Sequence, residues 1–168
     1  GLKPEDKQSY WRFMRDNLFS NINIDKDRYF LPHGDAANLD EECYKYDALI
    51  QSFGGIDFQV LGIGVNGHIG FNEPDEYFSD GTHVVELTER TIKSNADKYF
   101  NGNTTLVPKR AISMGSNQIA KAGKIIILAS GENKAWAVAE AIEGLVTPKL
   151  PASILQRCED VTWIIDKE

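Results

Sequence analysis

Three short apolar runs limit what this chain can become. Asp57-Phe58-Gln59-Val60-Leu61-Gly62-Ile63, Lys124-Ile125-Ile126-Ile127-Leu128-Ala129 and Val161-Thr162-Trp163-Ile164-Ile165 each read as a strand. The second is apolar throughout after its lysine, the composition of a strand inside a sheet. Segments with helical spacing lie between and around them. Strands that alternate with helices predict an α/β fold, a three-layer arrangement with a mostly parallel sheet and helices on both faces. The chain opens on a helix and lacks the leading strand with which doubly wound sheets usually begin.

The helical segments follow from spacing and punctuation. Tyr10, Phe13, Met14 and Leu18 recur at helical intervals and predict a helix over 4–19, with Pro4 in its first turn. Residues 20–37 read as a loop. Asn38 with Glu41 resembles a capping pair opening a helix to about Phe53, stopped by Gly54-Gly55. His83–Leu87 and Ala111–Met114 are short strand candidates, and Thr88–Phe100 has helical character. Ser116–Ala122 is a short helix closed by Gly123. A helix over 133–146 follows the Ser130-Gly131 turn, with Ala135, Val138, Ala139, Ile142 and Val146 marking its apolar face. Residues 151–157 read as a further short helix.

The 168 residues suffice for one domain with its own core, and nothing in the chain resembles a linker or an internal repeat. Hydrophobic residues make up 42% and charged residues 26%, the balance of a soluble globular protein. No apolar run is long enough to span a bilayer, and the N-terminus lacks a signal-peptide pattern, so no membrane association is expected and a cytoplasmic location is. Cys43 and Cys158 read as free buried thiols of a reducing compartment. A net charge of −7 argues against a nucleic-acid face, though not against a local basic pocket for a small anion.

The most informative stretch is Gly64-Val65-Asn66-Gly67-His68-Ile69-Gly70-Phe71-Asn72-Glu73-Pro74, directly after the first strand. In parallel sheets the C-terminal strand ends are where ligands bind. His68 is a group that exchanges protons near neutral pH. Gly67 and Gly70 allow close approach of backbone or substrate. Glu73 could orient the imidazole or share its proton, and Asn66 could hold either group without transferring a proton itself. The alternative is a histidine hydrogen-bonded in a tight turn beside a solvated glutamate. The glycine-rich strand-end context favours one local proton-handling cluster. His33 and His83 lie in contexts that suit structural or solvated roles. Lys134, in the first turn of its helix, is unfavourable to the helix dipole and suits a phosphate docked there, or is an ordinary surface lysine. With His68 and Glu73 alone as ligands, and no helical histidine pair, neither a metal nor a cofactor is expected.

The run Leu61–Pro74 resembles the signature of the glucosamine-6-phosphate deaminase (isomerase) family, which also includes galactosamine-6-phosphate isomerases. Ser9-Tyr10 with Phe13-Met14, Leu31-Pro32-His33-Gly34, and Ser130–Ala135 through Glu143-Gly144 extend the likeness over essentially the whole chain. The resemblance implies a NagB-like modified Rossmann fold. It implies ring opening of a phosphorylated amino sugar, isomerisation of aldose to ketose, and release of ammonia. It casts His68 as the acid–base at the ring oxygen, with Glu73 and Asn66 in a relay, although many members carry aspartate at position 66. It casts Lys134 as a phosphate ligand, joined by Lys98 (where arginine is usual) from an active-site lid over about Thr88 to Pro108. Gly67 belongs to the same substrate-binding turn.

The family's N-terminal phosphate loop and the aspartate that moves the C2 proton match nothing in residues 1–168. The chain is therefore expected to be the C-terminal part of a longer sugar-phosphate isomerase/deaminase domain, lacking N-terminal strands and inactive alone. A truncated sheet would expose an edge or apolar face, so self-association into a homo-oligomer is expected. Two other functions share this fold. In 6-phosphogluconolactonases the histidine is followed by Thr-Ala-Ser-Leu-Phe-Pro, unlike Ile69–Pro74 here. In sugar-phosphate-sensing modules of transcription regulators, binding occurs without turnover, and the presence of both His68 and Glu73 weighs against that reading.

Overall fold

A computed structural model describes residues 1–167. Ten helices and strands follow one another: α1 (Tyr10–Asn17), α2 (Leu39–Ser52), β1 (Phe58–Gly62), β2 (His83–Glu86), α3 (Glu89–Tyr99), β3 (Arg110–Ser113), α4 (Ser116–Ile119), β4 (Lys124–Ala129), α5 (Ala135–Glu143) and β5 (Val161–Ile165). A 3-10 helix over Pro151–Arg157 precedes β5. Strands β1, β4 and β5 form one sheet in the order β1-β4-β5, and β2 and β3 form a separate pair. The α/β class and the parallel sheet expected from the sequence are both present. No described helix is long and apolar enough to cross a membrane.

The described residues group into two compact units, 1–46 with 84–112, and 47–83 with 113–167. In the first unit, α1 begins later than its spacing predicts. Ser9 caps it, its side chain accepting from the Arg12 amide, so Pro4 lies outside the helix. The apolar residues Tyr10, Phe13 and Leu18 remain exposed. Half-buried Trp11 instead packs on His33 and Tyr29, while Tyr29 stacks on Phe19. His33 is thereby a packing residue, and its amide donates to Glu42. The α2 cap forms as expected, with the Glu41 amide donating to Asn38 Oδ1 at 3.1 Å.

The second unit carries the three-stranded sheet. Both pairings are parallel, with Leu61 opposite Ile127 and Ile127 opposite Trp163. Alternation sends Leu61, Ile125, Ile127 and Ala129 to one face, where they pack with Ile119 of α4, Ala137, Val138 and Ala141 of α5, and Ile154 and Leu155. A fully buried isoleucine contributes roughly 1.5–3 kcal/mol relative to an exposed one. The buried face of α5 differs from the expected one. The 3-10 turn Glu132–Lys134 resets the helix phase, and the small Ala137 and Ala141 face the sheet while Ala135, Ala139 and Ile142 point outward. The other face of the sheet presents Phe58 (52% exposed), Val60 (54%), Leu128 (49%) and Ile164 (51%). Cys43 is buried, whereas Cys158, a free thiol, is only half-buried.

Candidate active site

β1 ends at Gly62, and the chain turns at once into a closed loop. The Gly64 amide donates to the His68 carbonyl at 2.9 Å, and the Gly67 amide donates to the Gly64 carbonyl at 3.0 Å. Two glycines make this closure possible. A Cβ on Gly64 would stand 2.2 Å from His68 Cε1, so the imidazole lies directly over that Cα. Gly67 has φ +79, and a Cβ there would meet the Leu150 side chain at 2.4 Å. The Gly67 carbonyl accepts from the Ala152 amide at 2.9 Å, which ties the turn to the segment before β5.

Three side chains converge on this turn. Asn66 Nδ2 donates to Glu73 Oε2 at 2.6 Å. Asn66 Oδ1 lies 2.8 Å from His68 Nδ1 and also accepts from the His68 amide at 3.3 Å. Glu73 Oε1 is 3.4 Å from the same Nδ1. The imidazole and the carboxylate are 35% and 33% exposed, which leaves both reachable by a solute. No described residue hydrogen-bonds His68 Nε2. An imidazole in such a cluster has the chemistry to accept or deliver one proton.

Lys134 reaches the same strand end from the turn before α5. Its ammonium donates to the Ile63 carbonyl at 2.7 Å, one residue before Gly64. The sequence left open whether Lys134 was an ordinary surface lysine; its half-buried side chain instead runs to the backbone beneath the histidine turn. Lys98 belongs to the other unit, exposed in the last turn of α3, where a cation also suits the helix dipole. The expected lid segment comprises α3, a 3-10 turn at Thr104–Leu106 and the start of β3.

Two supports of the site drew no attention from the sequence. Asn72 is buried, and its Nδ2 donates to the Ile69 carbonyl at 2.9 Å and the Met114 carbonyl at 2.8 Å. Its Oδ1 accepts from Ser79 Oγ at 2.6 Å. Ser113 Oγ accepts from the Phe71 amide at 3.0 Å. Together they pin the segment from Ile69 to Glu73 to the end of β3. An asparagine beside a histidine motif signals polarity only, and one of the partners of Asn72, Met114, lies 42 residues away. The remaining histidine, His83, faces the Gly81 carbonyl through Nδ1 at 3.0 Å, a structural bond.

Known proteins resemble this chain along its whole length. A family model described as glucosamine-6-phosphate isomerases/6-phosphogluconolactonase matches residues 2–163. A glucosamine-6-phosphate deaminase of Thermoanaerobacter sp. (strain X514) is 55% identical over all 168 residues, which span 66% of its length. One from Clostridium novyi (strain NT) is 49% identical over the whole chain, which covers 69% of it. The chain thus spans about two thirds of the length of these relatives. Among solved structures, a monomeric glucosamine-6-phosphate deaminase of the NagB superfamily superposes with a TM-score of 0.92 at 43% identity, covering 99% of this chain and 68% of that one. The 6-phosphogluconolactonase of Thermotoga maritima shares the fold at a TM-score of 0.74 and 17% identity, covering 98% of this chain and 67% of that one. From its strand-end histidine turn to its sheet order, the chain belongs to the glucosamine-6-phosphate isomerase/6-phosphogluconolactonase family.

Proposed function

We propose that the protein carrying this chain converts an amino-sugar 6-phosphate, of the glucosamine or galactosamine epimer, to the ketose 6-phosphate with release of ammonia. The observation that carries this reading is the hydrogen-bonded chain His68–Asn66–Glu73 at the C-terminal end of β1. The net reaction consumes water: the aldose isomerises, water adds at C2, and the C2 nitrogen leaves as ammonia. It is an isomerisation coupled to a hydrolytic deamination. In that scheme His68 handles the proton of the ring oxygen during ring opening, and the Glu73 charge supports the imidazolium. Lys134 supplies a point charge for the phosphate, with Lys98 a second cation from the lid and the Gly67 turn lining the sugar. The C2 proton is assigned to an aspartate outside these residues, so the 168-residue chain by itself is proposed to be inactive. Such a reaction belongs to amino-sugar catabolism, which feeds on N-acetylglucosamine, in the cytoplasm.

The test is ammonia release by the protein carrying this chain, with each epimer, alongside His68→Ala. Turnover abolished at least 10²-fold by His68→Ala supports the reading. Hydrolysis of a sugar-phosphate lactone without ammonia would replace it with the lactonase function. Phosphosugar binding with neither reaction would replace it with a sensor.

A further inference from the structure

β4 is the middle strand of its sheet, and the turn that leaves it is held from both neighbouring strands. Ala129 lies opposite Ile165 in the β4–β5 pairing, so Ser130 and Asp166 are the first residues beyond the two strand ends. One carboxylate oxygen, Asp166 Oδ2, accepts from the Ser130 hydroxyl at 2.5 Å and from the Gly131 amide at 2.9 Å. Gly131 has φ +92, a conformation that residues with side chains rarely adopt, and the chain changes direction there. The Lys134 amide then donates to the Gly131 carbonyl at 2.9 Å. From this turn the Lys134 ammonium reaches the Ile63 carbonyl, just beyond β1, at 2.7 Å. The corner itself suits no anion: its Gly131 N–H is engaged, and a carboxylate stands beside it. Lys134 is the cation of residues 130–134. Its stem is flexible, so the backbone of the turn decides where the ammonium can stand.

We propose that Asp166 is a positioning residue. By holding Ser130 and Gly131 at the end of β5, it sets the turn from which Lys134 projects, and so places the ammonium at the C-terminal end of β1 beside the histidine turn. The hydroxyl and the amide that the turn offers are both neutral donors. What the turn needs from position 166 is therefore an acceptor rather than a negative charge. Asparagine supplies one through Oδ1, and alanine supplies none. The consequence for substrate binding rests on the proposed reaction; the placement of the ammonium does not.

The experiment compares Asp166→Ala, Asp166→Asn and Ser130→Ala in the protein carrying this chain, with two readouts. The first is acetylation of lysine amines by acetic anhydride, followed at each lysine by mass spectrometry. In the wild type, half-buried Lys134 is expected to react more slowly than exposed Lys121, the internal standard. Asp166→Ala is expected to raise the Lys134 rate relative to Lys121 by roughly 2–10-fold, the effect of losing hydrogen bonds of ordinary strength. Ser130→Ala is expected to raise it less, and Asp166→Asn to leave it close to the wild type. The second readout is the kinetics of ammonia release from the amino-sugar 6-phosphate. Asp166→Ala is expected to raise KM by a similar factor with kcat little changed, because a phosphate contact is made alike in ground and transition states. Asp166→Asn is expected to recover most of that loss. An unchanged Lys134 rate in Asp166→Ala overturns the proposal, as does an asparagine variant as reactive as the alanine one. A KM that falls in Asp166→Ala also overturns it, since the carboxylate would then act as a repelling charge. If Asp166→Ala does not fold, Ser130→Ala decides: no rise at Lys134 overturns the placement. A wild-type protein that releases no ammonia yet shows the labelling differences would sink the reaction and leave the placement standing.

Discussion

Gly64 and His68 share one space: the His68 imidazole lies where a Gly64 side chain would be, 2.2 Å from its Cβ position, and the Gly64 amide donates to the His68 carbonyl. The ring fits there because Gly64 has no side chain, and Asn66 Oδ1 meets it from the side at 2.8 Å.

Gly64→Ala should therefore displace the imidazole rather than merely crowd it. The ring would lose its 2.8 Å contact with Asn66 Oδ1. A shift of about 1 Å in a catalytic group costs on the order of 10²-fold in rate. Turnover should fall by about that much, while overpacking costs about 1–3 kcal/mol in stability. Ammonia-release kinetics beside urea denaturation separate the two effects, and a variant with unchanged kcat would show that the ring position does not matter.

Gly67→Ala should act on stability first. It combines a backbone at φ +79 with a clash against Leu150, and should lower stability by about 2 kcal/mol or more. Leu150→Ala creates room and should return part of that loss when the two are combined. A double-mutant cycle in urea measures the coupling, which is expected to be favourable and at least about 0.5 kcal/mol. Strict additivity would mean the clash is relieved elsewhere.

Asn72→Ala should destabilise by about 2–4 kcal/mol, because it strips partners from the Ile69 and Met114 carbonyls and from Ser79 Oγ in a buried place. Asn72→Asp should be worse, since a carboxylate would face two carbonyl oxygens. Thermal or urea unfolding checks the order. Equal stability of the aspartate and the wild type would contradict the donor role of Nδ2.

The exposed apolar face of Phe58, Val60, Leu128 and Ile164 should drive self-association of the 168-residue chain. Val60→Lys with Leu128→Lys should shift its sedimentation toward the monomer without altering the opposite, buried face. A wild-type chain that stays monomeric at high concentration, or unchanged association in the variant, counts against this face.

Burial raises the Cys158 thiol above its ordinary pKa, and its Sγ approaches the Ala120 carbonyl at 3.5 Å. Less thiolate is present at mildly alkaline pH than for a free cysteine. Alkylation of the folded chain at pH 8 should be markedly slower than that of the unfolded chain, at Cys158 and at the buried Cys43 alike. Rapid native labelling of Cys158 would show that its shelter opens.

Strand positions could be read from the chain because apolar runs bounded by glycine and polar turns carry them directly: 124–129 and 161–165 appear where they were expected. The histidine turn was readable for the same local reason, since Asn66, His68 and Glu73 lie within eight consecutive residues. Helix faces were less readable. The period of α5 was plain, but its phase depended on a 3-10 turn and on which small residues could approach Ile127. The spacing in α1 suggested a buried stripe, yet the aromatic partners of that unit gather around Trp11 instead.

What the sequence by itself determined was the α/β class, the parallel strands and the local set of proton-handling groups, because each depends on neighbours a few residues apart. Tertiary structure alone decided how those groups face one another. Lys134 and Ile63 are 71 positions apart, and Asn72 and Met114 are 42. Chain folding rather than local preference brings such pairs within hydrogen-bond reach. The orientation of the Asn66 amide has a local origin, but it too is visible only in three dimensions. A planar amide has two indistinguishable placements until a carboxylate on one side and an imidazole on the other select one.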